Sequence, residues 1–151
     1  MTDIVDRTVR SRMMARIGGK DTKPELTLRR AMHARGLRYR LHDRKLPGTP
    51  DMVFRRFAAV CFVHGCFWHR HKGCPYTTEP ATRPDFWQSK FRSNVERDHR
   101  AREELLDSGW RVAIVWECAL RAEQAKWTSL RLDQWLHSQE QFFETDLFWN
   151  R

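Results

Sequence analysis

Two apolar runs, residues 58–63 (Ala-Ala-Val-Cys-Phe-Val) and 112–116 (Val-Ala-Ile-Val-Trp), restrict the fold of this chain more than any other feature. Each is short and apolar on both faces, as a central strand is. Between them, residues 84–107 read as one long helix, with Pro84 in its first turn and Gly109 as its stop. Strand, long helix, strand is a right-handed parallel crossover. The chain is thereby predicted to be an α/β domain.

The remaining segments fit around that unit. Residues 7–17 read as a short basic helix ended by Gly18-Gly19. Residues 22–35 read as a second helix, capped by Thr22, with Pro24 in its first turn, Gly36 as its stop, and Leu28, Ala31, Met32 and Arg35 on one face. The period then changes to two: Leu37, Tyr39 and Leu41 alternate with Arg38, Arg40 and His42, a half-buried strand. Residues 46–50 are a turn, residues 51–54 a strand, and Arg55-Arg56 a hairpin tip. Residues 119–136 read as a final helix; the tail from about 137 to 151, with Phe142, Phe143, Phe148 and Trp149, is unassigned. The predicted order is α-α-β-β-β-α-β-α, a mixed sheet flanked by helices. With 151 residues and no repeat or flexible linker, one domain spanning 1–151 is expected, long enough to bury roughly 70% of its unfolded surface.

Charge narrows the partner. Lys and Arg number 28 against 19 acidic residues, a net charge of +9, and Arg outnumbers Lys. A small domain this basic usually meets a polyanion, and its seven Trp and nine Phe add flat rings that stack on bases. The longest mostly apolar stretch, residues 57–68, is too short for a membrane helix, and the first seven residues have no apolar signal core, so a cytoplasmic location is expected. In that reducing compartment Cys61, Cys66, Cys74 and Cys118 are thiols or ligands rather than disulfides.

Several constellations carry chemistry. Asp51 starts a strand, and a hairpin of this length brings it beside Val63 and His64, a usual way to hold Mg²⁺; ordinary Pro50-Asp51 turn chemistry is the alternative. Glu25 stands in a Thr22-x-x-Glu25 capping box. Asp98 falls within a stripe of Phe91, Val95, Arg102 and Leu105 on the long helix, where a carboxylate is either functional or paired with Arg102. Residues 64–74 hold three His and two Cys. Cys66, Cys74, Cys118 and one His, best His71, complete a tetrahedral structural Zn²⁺ site, while Cys61 reads as a core thiol. His64 and His69 are then left as acid, base or phosphate contacts, or as surface histidines. Phe67, Trp68 and Trp87 are wedges for a base stack or local core around the zinc.

The motifs His64-Gly65-Cys66-Phe67-Trp68-His69-x-His71, Asn94-Val95-Glu96-Arg97-Asp98, Gly109-Trp110-Arg111-Val112 and Val115-Trp116-Glu117-Cys118 closely resemble those of the very short patch repair (Vsr) endonucleases. So do Arg10-Ser11-x-x-Met14-x-x-Ile17, Asp21-Thr22 and Leu46-Pro47-Gly48-x-Pro50-Asp51, and the match runs from about residue 6 to 121. The resemblance implies a PD-(D/E)xK-type nuclease fold with a structural zinc, which nicks DNA 5′ of the thymine in T·G mismatches left by deamination of 5-methylcytosine. It implies Asp51 and the backbone carbonyl of Val63 as Mg²⁺ ligands, and Glu25 and Asp98 as carboxylates that position metal waters. His69 corresponds to the general base and His64 to the residue at the scissile phosphate. Cys66, His71, Cys74 and Cys118 match the zinc ligands, and Phe67, Trp68 and Trp87 the rings inserted beside the mismatch. The family also implies a monomer working on nucleoid DNA with mismatch-repair factors such as MutL. Two departures stand out: Val63 replaces a frequent Thr, and two residues separate His71 from Cys74 where some members have one. The rivals are a restriction-type PD-(D/E)xK nuclease acting on matched DNA and an inactive zinc-stapled DNA-binding module.

Overall fold

The computed structural model describes residues 21–145. The expected helix at 7–17, with its Arg10, Ser11, Met14 and Ile17, and the aromatic residues Phe148 and Trp149 lie outside the described residues. Among the described residues the elements are α1 (Lys23–Ala34), β1 (Arg40–Leu41), β2 (Met52–Phe54), β3 (Ala59–His64), α2 (Pro84–Asp107), β4 (Arg111–Trp116), α3 (Gln124–Leu136) and β5 (Phe142–Glu144). They build one five-stranded mixed sheet in the order β1-β2-β3-β4-β5. No described helix is long and apolar enough to cross a membrane.

Local chemistry sets the element ends. Thr22 caps α1, its Oγ1 accepting the Glu25 N–H at 3.4 Å. The helix closes in a Schellman motif: Gly36, at φ +87°, donates to the His33 carbonyl and Leu37 to the Met32 carbonyl. That use of Leu37 shortens the predicted strand at 37–42 to Arg40–Leu41, and His42 ends it in the left-handed region at φ +48°. β2 and β3 form an antiparallel hairpin with Met52 opposite Cys61, turned through a 3-10 turn at Arg55–Phe57. In the turn before β2, a Cβ on Gly48 would lie 2.7 Å from that of Ala101, so glycine lets this turn dock on α2.

β3 and β4 are parallel and α2 is their crossover, so Val63 lies beside Val115 and His64 beside Trp116. β3 is apolar on both faces because both are covered. Met52, Phe54, Cys61, Ala113 and Val115 pack against Leu28 and Met32 of α1 and Leu132 and Leu136 of α3. Val60, Phe62, Val112, Ile114 and Trp116 pack against Leu105 of α2 and the Cys66, Cys74 and Cys118 cluster. Each fully buried aliphatic side chain contributes about 1.5–3 kcal/mol.

One expectation is corrected, and part of the unassigned tail finds its place. The last helix begins at Gln124 rather than 119, because Glu117–Leu120 form a 3-10 turn that carries Cys118 inward. Phe142 and Phe143 belong to β5, a short strand paired in parallel with β4. Arg111 ties this end together, donating to the carbonyls of Trp135 at 2.6 Å, Leu136 at 3.1 Å and Glu140 at 3.0 Å.

Candidate active site and metal centre

The polar ends of β3 and β4 open onto two side-chain clusters. In the first, Cys66, His71, Cys74 and Cys118 are all buried, with ligand atoms within 4.8 Å of one another. His71 Nδ1 lies 3.6 Å from Cys66 Sγ and 3.5 Å from Cys118 Sγ. A tetrahedral zinc with ordinary Zn–S and Zn–N bonds has an N···S edge of about 3.6 Å, so this spacing fits the ion. Burial and the sulfur of Cys118, the larger cause, push the Cys66 thiol up, a crowding that a cation relieves. The loop is braced from outside. Thr77 Oγ1 donates to the His71 carbonyl at 2.7 Å, the Cys66 N–H donates to Glu117 at 3.0 Å, and Arg70 pairs with Glu79 while lying over the Phe91 ring. Cys61 sits in the core away from this group.

The second cluster surrounds Asp51. The Val63 N–H donates to Asp51 Oδ2 at 2.6 Å, as the hairpin register requires. Burial first, and the neighbouring Glu25 carboxylate second, raise Asp51 to about 7. Glu25 is buried, and one of its oxygens, Oε2, accepts from Arg29 at 2.8 Å and from the Asp21 N–H at 3.1 Å; His42 Nε2 lies 3.1 Å from it and 3.2 Å from Arg29 Nη2. It therefore does more than close a capping box; its far end faces Asp51 and His42, whose Nε2 is 3.8 Å from Asp51 Oδ1. Two apposed carboxylates in a low-dielectric pocket are the donor set a hard divalent cation takes.

Between the clusters stand the remaining histidines. His64 is buried, and desolvation together with His69 and His71 holds its imidazole well below the ordinary range. It stacks on His69 with centroids 4.0 Å apart and planes at 5°. His69 Nδ1–H donates to the Asp98 carboxylate at 2.6 Å, which makes Nε2 the ring's acceptor nitrogen. Neither histidine is a bare surface group. The stripe expected on α2 is corrected: Val95 is 37% exposed, Asp98 is half-buried against His69, and Arg102 turns to His99 and Phe142 instead of pairing with Asp98.

Phe67, Trp68 and Trp87 are half-buried, intermediate between bare wedges and core. Phe67 meets Trp68 at 5.2 Å, Trp87 at 5.9 Å and Phe91 at 5.2 Å, so the rings form one pre-assembled cluster. Asn94 holds the Trp68 carbonyl at 3.2 Å. Sequence reasoning does not single out Arg29, His42 or Trp116 as site residues. The signal for His42 is only its place at the end of a strand whose outward residues are otherwise arginines, and Arg29 reads as one more basic helix residue.

Comparison with known proteins adds an independent line. The family model described as DNA mismatch endonuclease Vsr matches residues 2–75. The chain is 43% identical over 139 residues to the DNA mismatch endonuclease Vsr of Escherichia coli (strain K12), covering 90% of this chain and 88% of that one. It is 46% identical over 120 residues to the type II nicking enzyme V.XorIIP of Xanthomonas oryzae pv. oryzae, covering 80% and 88%. The type II nicking enzyme V.NmeAIP of Neisseria meningitidis is 41% identical over 121 residues, covering 80% and 86%.

Proposed function

The chain belongs to the DNA mismatch endonuclease Vsr family, and from that premise we propose that it nicks one strand of duplex DNA 5′ of the thymine in a T·G mismatch, by Mg²⁺-dependent phosphodiester hydrolysis. The observation that carries the reading is the juxtaposition of the raised Asp51 carboxyl, the His69–Asp98 pair and a cluster of edge-on aromatic rings around the ends of β3 and α2. Relatives that carry the name nicking enzyme favour cutting of a single strand.

Asp51 and the Val63 carbonyl would hold Mg²⁺, with Glu25 positioned beside them. A cation there supplies charge stabilisation to the phosphoryl oxygens and the leaving oxygen. His69 Nε2 takes the proton from the attacking water as the water oxygen bonds to phosphorus and the P–O bond breaks; Asp98, on Nδ1–H, fixes the tautomer and stabilises the imidazolium that results. His64, held neutral by burial, presents its imidazole to the scissile phosphate. Cys66, His71, Cys74 and Cys118 would bind Zn²⁺ as a closed structural site and hold the loop bearing Phe67 and Trp68 stiff. A mispaired base costs less to unstack, so rings already ordered gain selectivity at a mismatch.

The test is a set of duplexes differing only at one pair. With Mg²⁺, a T·G duplex should be nicked on the thymine strand and the T·A and C·G duplexes left intact, across several flanking sequences. Cleavage of matched DNA would favour a restriction-type nuclease, and binding without nicking would favour an inactive DNA-binding module.

A further inference from the structure

One side chain touches both the Cys/His centre and the histidine pair. Trp116 ends β4 and is the ladder partner of His64. Its indole lies flat on the His71 imidazole, with centroids 4.1 Å apart and planes at 7°, and meets the His64 ring edge-on at 5.1 Å and 74°. His64 in turn stacks on His69. Among the described residues, His64 Nδ1 is buried without a hydrogen-bond partner. Packing against neighbouring rings therefore orients this imidazole, and the ring that orients it must itself be fixed. Trp116 is fixed by β5 and the residue after it: its indole N–H donates to Glu144 Oε2 at 2.8 Å, and its backbone N–H donates to Thr145 Oγ1 at 3.0 Å. Glu144 is itself exposed, and its carboxylate accepts the indole N–H.

We propose that Glu144 is a positioning residue for hydrolysis: its charge-assisted hydrogen bond sets the plane of the Trp116 indole, and the indole aligns His64 and, through the stack, His69. The inference rests on the reading of His69 as the base. It adds that the short edge strand β5 tunes the reaction, and that the Cys/His centre and the histidine pair share one aromatic wall.

The experiment uses the full chain as purified, with its native metal content. Glu144→Ala, Glu144→Gln, Trp116→Phe and the double variant Glu144→Ala with Trp116→Phe are compared in single-turnover nicking of a T·G duplex with Mg²⁺. DNA affinity, zinc content and imidazole ¹H–¹⁵N NMR are measured alongside. Glu144→Ala should slow nicking about tenfold at unchanged DNA affinity and zinc content, because only the alignment of reacting groups is lost. Its His64 resonances should move while those of the exposed His33 and His99 stay in place. Glu144→Gln keeps an oxygen acceptor and should recover most of the rate. The double variant should be no slower than the slower single variant, since both cut the same link. Unmoved His64 resonances, an unchanged nicking rate in Glu144→Ala, or a rate loss that tracks zinc loss would overturn the proposal. A wild-type protein that nicks no T·G duplex overturns the function reading instead, and the His64 resonances still decide the Glu144 link.

Discussion

Asp51→Asn should make the protein inactive and more stable at once. The carboxyl is raised from 3.8 to about 7, by burial first and by Glu25 second. At about 1.4 kcal/mol per pH unit, keeping it ionised above that range costs the folded, cation-free protein on the order of 4 kcal/mol, an upper bound. The side chain is 17% exposed, so water removes part of that cost. The sign follows from proton binding. Below about pH 4 the group is protonated in both states and the cost is absent; between about 4 and 7 the unfolded chain gives up its proton and the folded one keeps it, so stability falls as pH rises; above about 7 the full cost is felt. Asn is uncharged at every pH and keeps an oxygen for the Val63 N–H. The stabilisation by Asn should therefore grow by about 2 kcal/mol between pH 5 and pH 8, which at this chain length raises Tm by several degrees. Denaturant titrations in Mg²⁺-free buffer at both pH values measure it. Added Mg²⁺ should stabilise the wild type at pH 8 and leave the Asn variant unmoved, since only the first binds it. A gain equal at both pH values, or a loss at pH 8, would refute the picture of two carboxylates forced together.

Three further outcomes are expected. Cys118→Ser should strip most of the zinc and lower Tm well beyond Cys61→Ser, because Cys118 belongs to the buried Cys/His group proposed to bind it and Cys61 is a core thiol; metal analysis with calorimetry decides, and zinc absent from active wild-type protein would end the assignment. Asp98→Asn should slow nicking about 10²-fold or more at unchanged DNA affinity, as His69 loses the partner that sets its tautomer; a wild-type rate would move the base elsewhere. Phe67→Ala with Trp68→Ala should erode the preference for T·G over T·A while zinc content survives, and an intact preference in folded protein would shift recognition to base-edge contacts.

The parts legible in the sequence are those that local chemistry dictates. The bounds of α2 follow from Pro84 and Gly109, and the parallel pairing of β3 and β4 follows from two doubly apolar runs joined by that helix. The Cys/His group follows from its density and from Cys118 at the next strand end. What is not legible depends on tertiary context. β5 is three residues long, too short to display an alternation, and exists because β4 offers an edge. Val95 sits at a core-like spacing yet stays exposed, because α2 is longer than the sheet it crosses and its first half packs on the Cys/His loop. The Glu25–Arg29–His42 group needs α1 to meet the end of β1, and a strained His42 backbone has no sequence signature.

The crossover that brings Cys66 and Cys118 together also dictates an order of assembly. A chain made from its N-terminus presents Asp51, His64 and His69 dozens of residues before Cys118. Until β4 and the turn after it have emerged, the buried centre lacks its fourth residue, and His64 has neither its ladder partner nor the indole wall beside it. A truncated or still-growing chain can hold the carboxylates of the first half, but not the histidine pair in register with them. Asp51, His64 and the Cys/His group come together only once the chain has been made past Cys118.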